Sequence, residues 1–93
     1  MHDQEIEVAF NTLWDRLMDF LGGMSVSYEE FINFCWEKTE QLANDSNENE
    51  LLFEEIISEI LSKFELSKYC NGMPEHIGFV YGMIMGCLQS VSA

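Results

Sequence analysis

Asp45, Glu48, Glu50, Glu54, Glu55 and Glu59 succeed one another with no base between them. A carboxylate row of this kind has two chemical uses: it can gather a cation, or it can hold negative charge at intervals close to those of a nucleic-acid backbone. Its commoner role is bland, a solvated helix face whose acids sit toward the positive end of the helix dipole. The surrounding imbalance argues for more. The 93-residue chain holds 17 acids against 4 bases, a formal net charge of -13, and Arg16 and Lys38 are the only bases before residue 61. An ordinary solvated face mixes both signs, and self-repulsion on this scale destabilises a compact state. A binding role would explain why it is tolerated, so these six acids are the candidate partner-binding residues, with acids of the first helix in support.

Cation chemistry finds less support. Val26-Ser27-Tyr28-Glu29-Glu30-Phe31 resembles the end of an EF-hand calcium loop, and taking Glu30 as position 12 places Asp19 at position 1. The frame fails inside, because Leu21 and Gly23 stand where oxygen ligands belong and Met24 replaces the turn glycine. A second frame, from Asn44 to Glu55, lacks the leading Asp and the glycine. Cys35, Cys70 and Cys87 with His2 and His76 show no paired zinc-ligand spacing. Neither His has a Glu three residues before it, as a di-iron bundle requires. No metal site and no cofactor is expected. There is also no phosphate-binding glycine loop, no Gly-x-Ser-x-Gly elbow and no recognisable Cys-His nucleophile pair. A non-enzymatic protein is expected, since a small helical bundle leaves little room for a substrate cleft.

The elements that must carry the acids are helices. Ile6, Ala9, Phe10, Leu13, Leu17, Phe20 and Leu21 recur at three- and four-residue steps and end at Gly22-Gly23, which predicts a helix over about 4–21. Ser27 and Glu30 form a capping-box pair, flanked by Val26 and Phe31 at hydrophobic-staple positions, so a second helix is predicted over 28–43. Its apolar face is Phe31, Phe34, Cys35, the stem of Lys38, and Leu42. The polar stretch from Asn44 to Asn49 reads as a loop, with Asn47 and Glu50 able to cap the next helix. That third helix is predicted over 50–66, with Phe53, Ile56, Ile57, Ile60, Leu61 and Phe64 along its apolar stripe. Asn71-Gly72 breaks the chain, and Pro74 suits the first position of a fourth helix over 74–91. The fold class is all-α, a compact bundle of four helices in one acidic domain spanning 1–93, because 47% hydrophobic and 13% aromatic residues exclude a disordered acidic tail. Such a domain has an expected radius of gyration of about 12 Å.

Charge and apolar character separate along this chain. Residues 1–30 hold seven acids and one base, residues 31–60 eight and one, and residues 61–93 two of each. The fourth helix is the opposite extreme: after Ile77 no formal charge remains. Ile77, Val80, Tyr81, Ile84, Leu88 and Val91 make one apolar face, and Phe79, Met83 and Cys87 make another. A helix apolar nearly all round is expected to be buried nearly all round. Gly78, Gly82 and Gly86 stack along one side, each at a cost of about 1 kcal/mol relative to Ala. Such a stack suits close approach of another backbone, either within the bundle or, with Phe79 and Met83, across a homodimer or partner interface. Trp14 and Trp36 lie at or beside apolar faces and are assigned to core packing.

These features bound the function. Direct nucleic-acid binding is disfavoured by the lack of Lys and Arg, and an anionic membrane would repel the chain. The 17-residue uncharged run from Ile77 to Ala93 falls short of the roughly 20 apolar residues of a spanning helix. With no basic, apolar leader at Met1-His2-Asp3-Gln4-Glu5 and an odd number of unpatterned cysteines, a reducing cytoplasm is expected. The leading expectation is an acidic inhibitor that occupies the nucleic-acid-binding surface of a basic protein partner. Small acidic proteins that block CRISPR effectors, restriction enzymes or nuclease toxins share that charge and size, an analogy that rests on no motif. The alternative is a dimerisation or adaptor module that works through the glycine-lined fourth helix.

Overall fold

The computed structural model describes residues 3–44 and 49–92. They form helices α1 (Asp3–Leu21), α2 (Tyr28–Asn44), α3 (Asn49–Lys63) and α4 (Pro74–Ser92), with a short 3-10 helix at Leu66–Cys70 between the last two. No strand occurs among the described residues. The Cα radius of gyration is 12.6 Å, close to the compact value expected for this length.

Local chemistry sets most boundaries. Gly22 and Gly23 adopt φ of 71° and 102°, and Gly23 N–H donates to the Met18 carbonyl at 2.9 Å. This is a Schellman-type end, in which a left-handed residue turns the chain while an orphan carbonyl is still satisfied. Ser27 caps α2: its carbonyl accepts from Phe31 N–H at 3.0 Å and its Oγ accepts a long 3.4 Å bond from Glu30 N–H. Pro74 opens α4, and the Met73 carbonyl accepts from both His76 and Ile77 N–H groups.

The end of α3 differs from expectation. It stops at Lys63, and Glu65 takes the left-handed conformation at φ 51° before the 3-10 helix begins. Continuing the Phe53–Ile57–Ile60–Phe64 stripe as α-helix would send Ser67 and Lys68 inward. The apolar residues there, Leu66 and Cys70, are out of that register. One left-handed residue shifts the chain so that Leu66 and Cys70 are buried while Ser67 and Lys68 stay exposed.

The core joins Ile6, Phe10, Leu13 and Leu17 of α1 to Phe31 and Cys35 of α2. It continues through Phe53, Ile56, Ile57, Ile60 and Phe64, and is closed by Val80, Ile84, Leu88 and Val91 of α4. Each such large side chain contributes roughly 1.5–3 kcal/mol on burial. Phe31 is its aromatic hub, with ring centroids 5.3 Å from both Trp14 and Phe64. Both tryptophans are half-buried against this core, Trp36 edge-on to Phe10 at 6.4 Å. Thr39, absent from the expected apolar face, is also buried, its hydroxyl donating to the Cys35 carbonyl one turn back at 2.9 Å.

Helices α1 and α4 run antiparallel. The Phe20 ring lies 5.3 Å from His76 and 5.7 Å from Phe79 at one end, while the Cys87 thiol donates to the Ala9 carbonyl at 3.6 Å toward the other. No helix among the described residues is long and apolar enough to cross a membrane.

Candidate protein-binding surfaces

The acidic surface is less uniform on α3 than its sequence implies. Because Ile56, Ile57 and Ile60 are drawn into the core, Glu54, Glu55 and Glu59 are turned outward and exposed. Glu50 lies in the first turn of α3, and Asp45 and Glu48 fall outside the described residues. Glu59 does not stand free: Lys38 Nζ approaches its carboxylate to 2.5 Å, from a side chain only 12% exposed. Lys38 and Lys63 both lie over the Phe34 ring, at 4.9 and 5.4 Å from its centroid. Two of the four bases therefore meet at the α2–α3 seam, and the α3 row ends in compensated charge. Twenty-one positions separate Lys38 from Glu59 in the chain, so an uninterrupted run of acids in the sequence gives no sign of the contact.

The outer face of α2 presents acids that form no unbroken run in the sequence. Phe31, Cys35 and Thr39 face inward, which leaves Glu29, Glu30, Asn33, Glu37 and Glu40 exposed on the opposite side. Their sequence signal is the polar complement of that buried stripe. Glu29 to Glu40 spans about 16 Å of helix axis, a length over which one strand of duplex DNA carries about five phosphates. Four carboxylates occupy it here, and none forms an ion pair among the described residues, where the ion pairs are Lys38–Glu59 and Lys68–Glu65. No three His, Cys, Asp or Glu side chains of the described residues stand close enough to share a metal ion.

Helices α1 and α4 build the second surface, a shallow groove of about 370 Å³. Glu5, Val8, Ala9, Thr12, Leu13 and Arg16 contribute one wall, and Gly82, Met83, Gly86, Cys87 and Ser90 the other. The α1 residues recur at three- and four-residue steps, so they share one side of that helix. The intramolecular crossing considered for the glycine stack does not occur: a Cβ placed at Gly78, Gly82 or Gly86 meets nothing within 4 Å. Nor is α4 buried all round. Its inner face is used by Val80, Ile84, Leu88 and Val91, while Phe79 remains 62% exposed and Val8 across the groove 59%. Three other helices cannot enclose every side of a fourth in a chain of this size, so the stripe opposite the core is left open. Met83 is half-buried at the groove wall.

The three cysteines are free thiols. Burial raises the pKa of Cys35, with nearby Cys87 adding to the effect, and pushes that of Cys87 up to about 12. Burial also raises Cys70, whose thiol donates to the Leu66 carbonyl at 3.6 Å. A thiol kept protonated is a poor nucleophile and a poor metal ligand, so these groups behave as small core residues.

No protein-family model, curated protein or solved structure matches the chain.

Proposed function

We propose that this protein is a non-enzymatic acidic inhibitor that occupies the basic, nucleic-acid-binding surface of a protein partner. The observation that carries the reading is the base-free row Glu29, Glu30, Glu37 and Glu40 along the outer face of α2. Glu54 and Glu55 of α3 are further exposed acids, with Asp45, Glu48 and Glu50 in the intervening sequence. Glu59 is a lesser contributor, since Lys38 already neutralises it. Rigid helices hold these charges without the ordering cost that a flexible acidic tail pays on binding. The field they generate speeds encounter with a cationic groove and repels competing acidic surfaces. Reduced, buried thiols suit a cytoplasmic setting for such an encounter.

The test begins with a partner isolated from host lysate and identified as a nucleic-acid-binding protein, whose labelled duplex is then displaced by this protein. Displacement weakening steeply between about 50 and 200 mM salt is expected, because ion pairs are screened over that range. The triple reversal Glu29→Lys, Glu37→Lys, Glu40→Lys should lower displacement at least tenfold, and Glu54→Lys with Glu55→Lys should lower it further. Unchanged displacement after both sets of reversals would sink the proposal.

A further inference from the structure

We propose that the α1–α4 groove is the interface of a two-fold symmetric homodimer in which Glu5 of each copy pairs with Arg16 of the other. This goes beyond the inhibitory reading and does not depend on it, since the α2 and α3 acids lie on other helices.

The argument starts from the charges. Glu5 and Arg16 are both exposed, both line the groove, and neither has an ion-pair partner among the described residues. Arg16 and Lys63 are the two bases without an ion pair among the described residues, and Lys63 lies over the Phe34 and Phe64 rings. Glu5 and Arg16 are eleven positions apart on one side of α1, about 16 Å along its axis. That places one charge of each sign toward opposite ends of the same groove.

A two-fold axis makes an interface self-complementary: if residue i meets residue j, then j meets i. Laid antiparallel about an axis near the midpoint of Glu5 and Arg16, two α1 helices bring each acid to the opposing base at both ends. The residues then nearest the axis are Ala9 and Thr12. On α4, the hydrogen bond from Cys87 to the Ala9 carbonyl puts Gly86 at the same level. Small residues thus meet where the backbones must come closest, with open space at Gly82 and Gly86 to admit them. Exposed Val8 lies beside this centre, and Phe79 lies one turn before Gly82 on α4.

The surface is near the size a specific interface needs. Two 19-residue helices side by side present a face of roughly 28 by 20 Å, about 560 Å² in projection, close to the roughly 600 Å² per partner at the lower end of specific interfaces. The groove lining itself carries one acid and one base, so this contact avoids the repulsion that opposing α2 faces would meet. A different partner would need its own acid and base placed in mirror order, whereas a second copy supplies that order automatically.

Sedimentation equilibrium on the full chain from roughly 1 to 500 µM should show a monomer–dimer equilibrium. Glu5→Arg and Arg16→Glu, made singly, should each weaken dimerisation about tenfold, because each sets like charges opposite one another at both ends. The double variant, with both reversals in one chain, should restore dimerisation to within about threefold of the starting protein. Gly86→Leu should abolish the dimer while leaving the far-ultraviolet circular dichroism unchanged, since its side chain enters open space in the monomer. A chain monomeric across the whole range overturns the proposal, as does a dimer indifferent to the single reversals, a double reversal that fails to restore it, or a dimer that tolerates Gly86→Leu.

Discussion

Lys38 of α2 reaches Glu59 of α3 with its Nζ 2.5 Å from the carboxylate, while the ammonium lies 4.9 Å from the Phe34 ring centroid and the side chain as a whole is only 12% exposed. The contact adds to the packing of Phe31 and Phe34 against Phe64 between the same two helices, and it sits at the boundary between core and solvent. Glu59 is half exposed, at 49% of its side chain, so the ion pair itself is screened and contributes little. The aliphatic stem matters more, because it covers apolar surface that would otherwise be wet.

Lys38→Ala should therefore lower stability by about 1 kcal/mol, and Lys38→Met by less, because Met keeps the stem and loses only the charge. Glu59→Gln should cost no more than about 0.5 kcal/mol. Urea denaturation of the three variants would check the order. A loss for Lys38→Met equal to that for Lys38→Ala would show that charge rather than packing holds the seam.

Glycines on the same chain should respond in opposite directions. Gly82→Ala, measured at a concentration where the protein is monomeric, should raise stability by about 0.5–1 kcal/mol, because the helix gains a better former and the methyl enters open space. Gly22→Ala should lower it by about 1 kcal/mol, since φ there is 71° and a Cβ is strained in that region. Thermal unfolding of both distinguishes a glycine retained for contact on the outside of the molecule from one required by its turn.

Phe31→Ala removes the ring that joins Trp14 to Phe64 at a site with no exposure. A loss of about 3–5 kcal/mol is expected, enough to unfold much of a marginally stable domain. Thr39→Val is the matching control, because it fills similar volume and removes only a hydroxyl bonded one turn back. Its effect should stay within about 1 kcal/mol of zero.

Cys87 gives the protein an alkaline limit. Its pKa rises from an ordinary 9 to about 12 through burial, so the folded state holds the proton more tightly than the unfolded chain. The contribution to stability is complete below pH 9 and is lost as pH climbs from 9 through about 12. Stability measured against pH should fall over that window, and Cys87→Ala should make the fall shallower. Iodoacetamide at pH 8 should label the thiols slowly in the native protein and promptly in urea.

The sequence alone determined the four helices and most of their inward residues, because a 3.6-residue apolar period, a glycine pair, a Ser cap and a helix-opening proline are all local signals. It failed where the information was not local. The stop at Lys63 came from the register of Leu66 and Cys70 against a core already assembled, and no propensity at Glu65 announces a left-handed residue. The acid row of α2 was written in the sequence as spacing, but an unbroken run is a property of the chain and a binding partner meets a face. Only tertiary structure decided which charges stand free, by carrying Lys38 across to Glu59 and leaving Arg16 on the groove without an ion pair among the described residues. It also decided what the glycines of α4 face. Their spacing says that something could approach closely, while the direction of Val80, Ile84 and Leu88 into the core leaves Gly78, Gly82 and Gly86 looking outward. A sequence sets which side chains share a helix face; which way that face turns depends on what the other helices have left to bury.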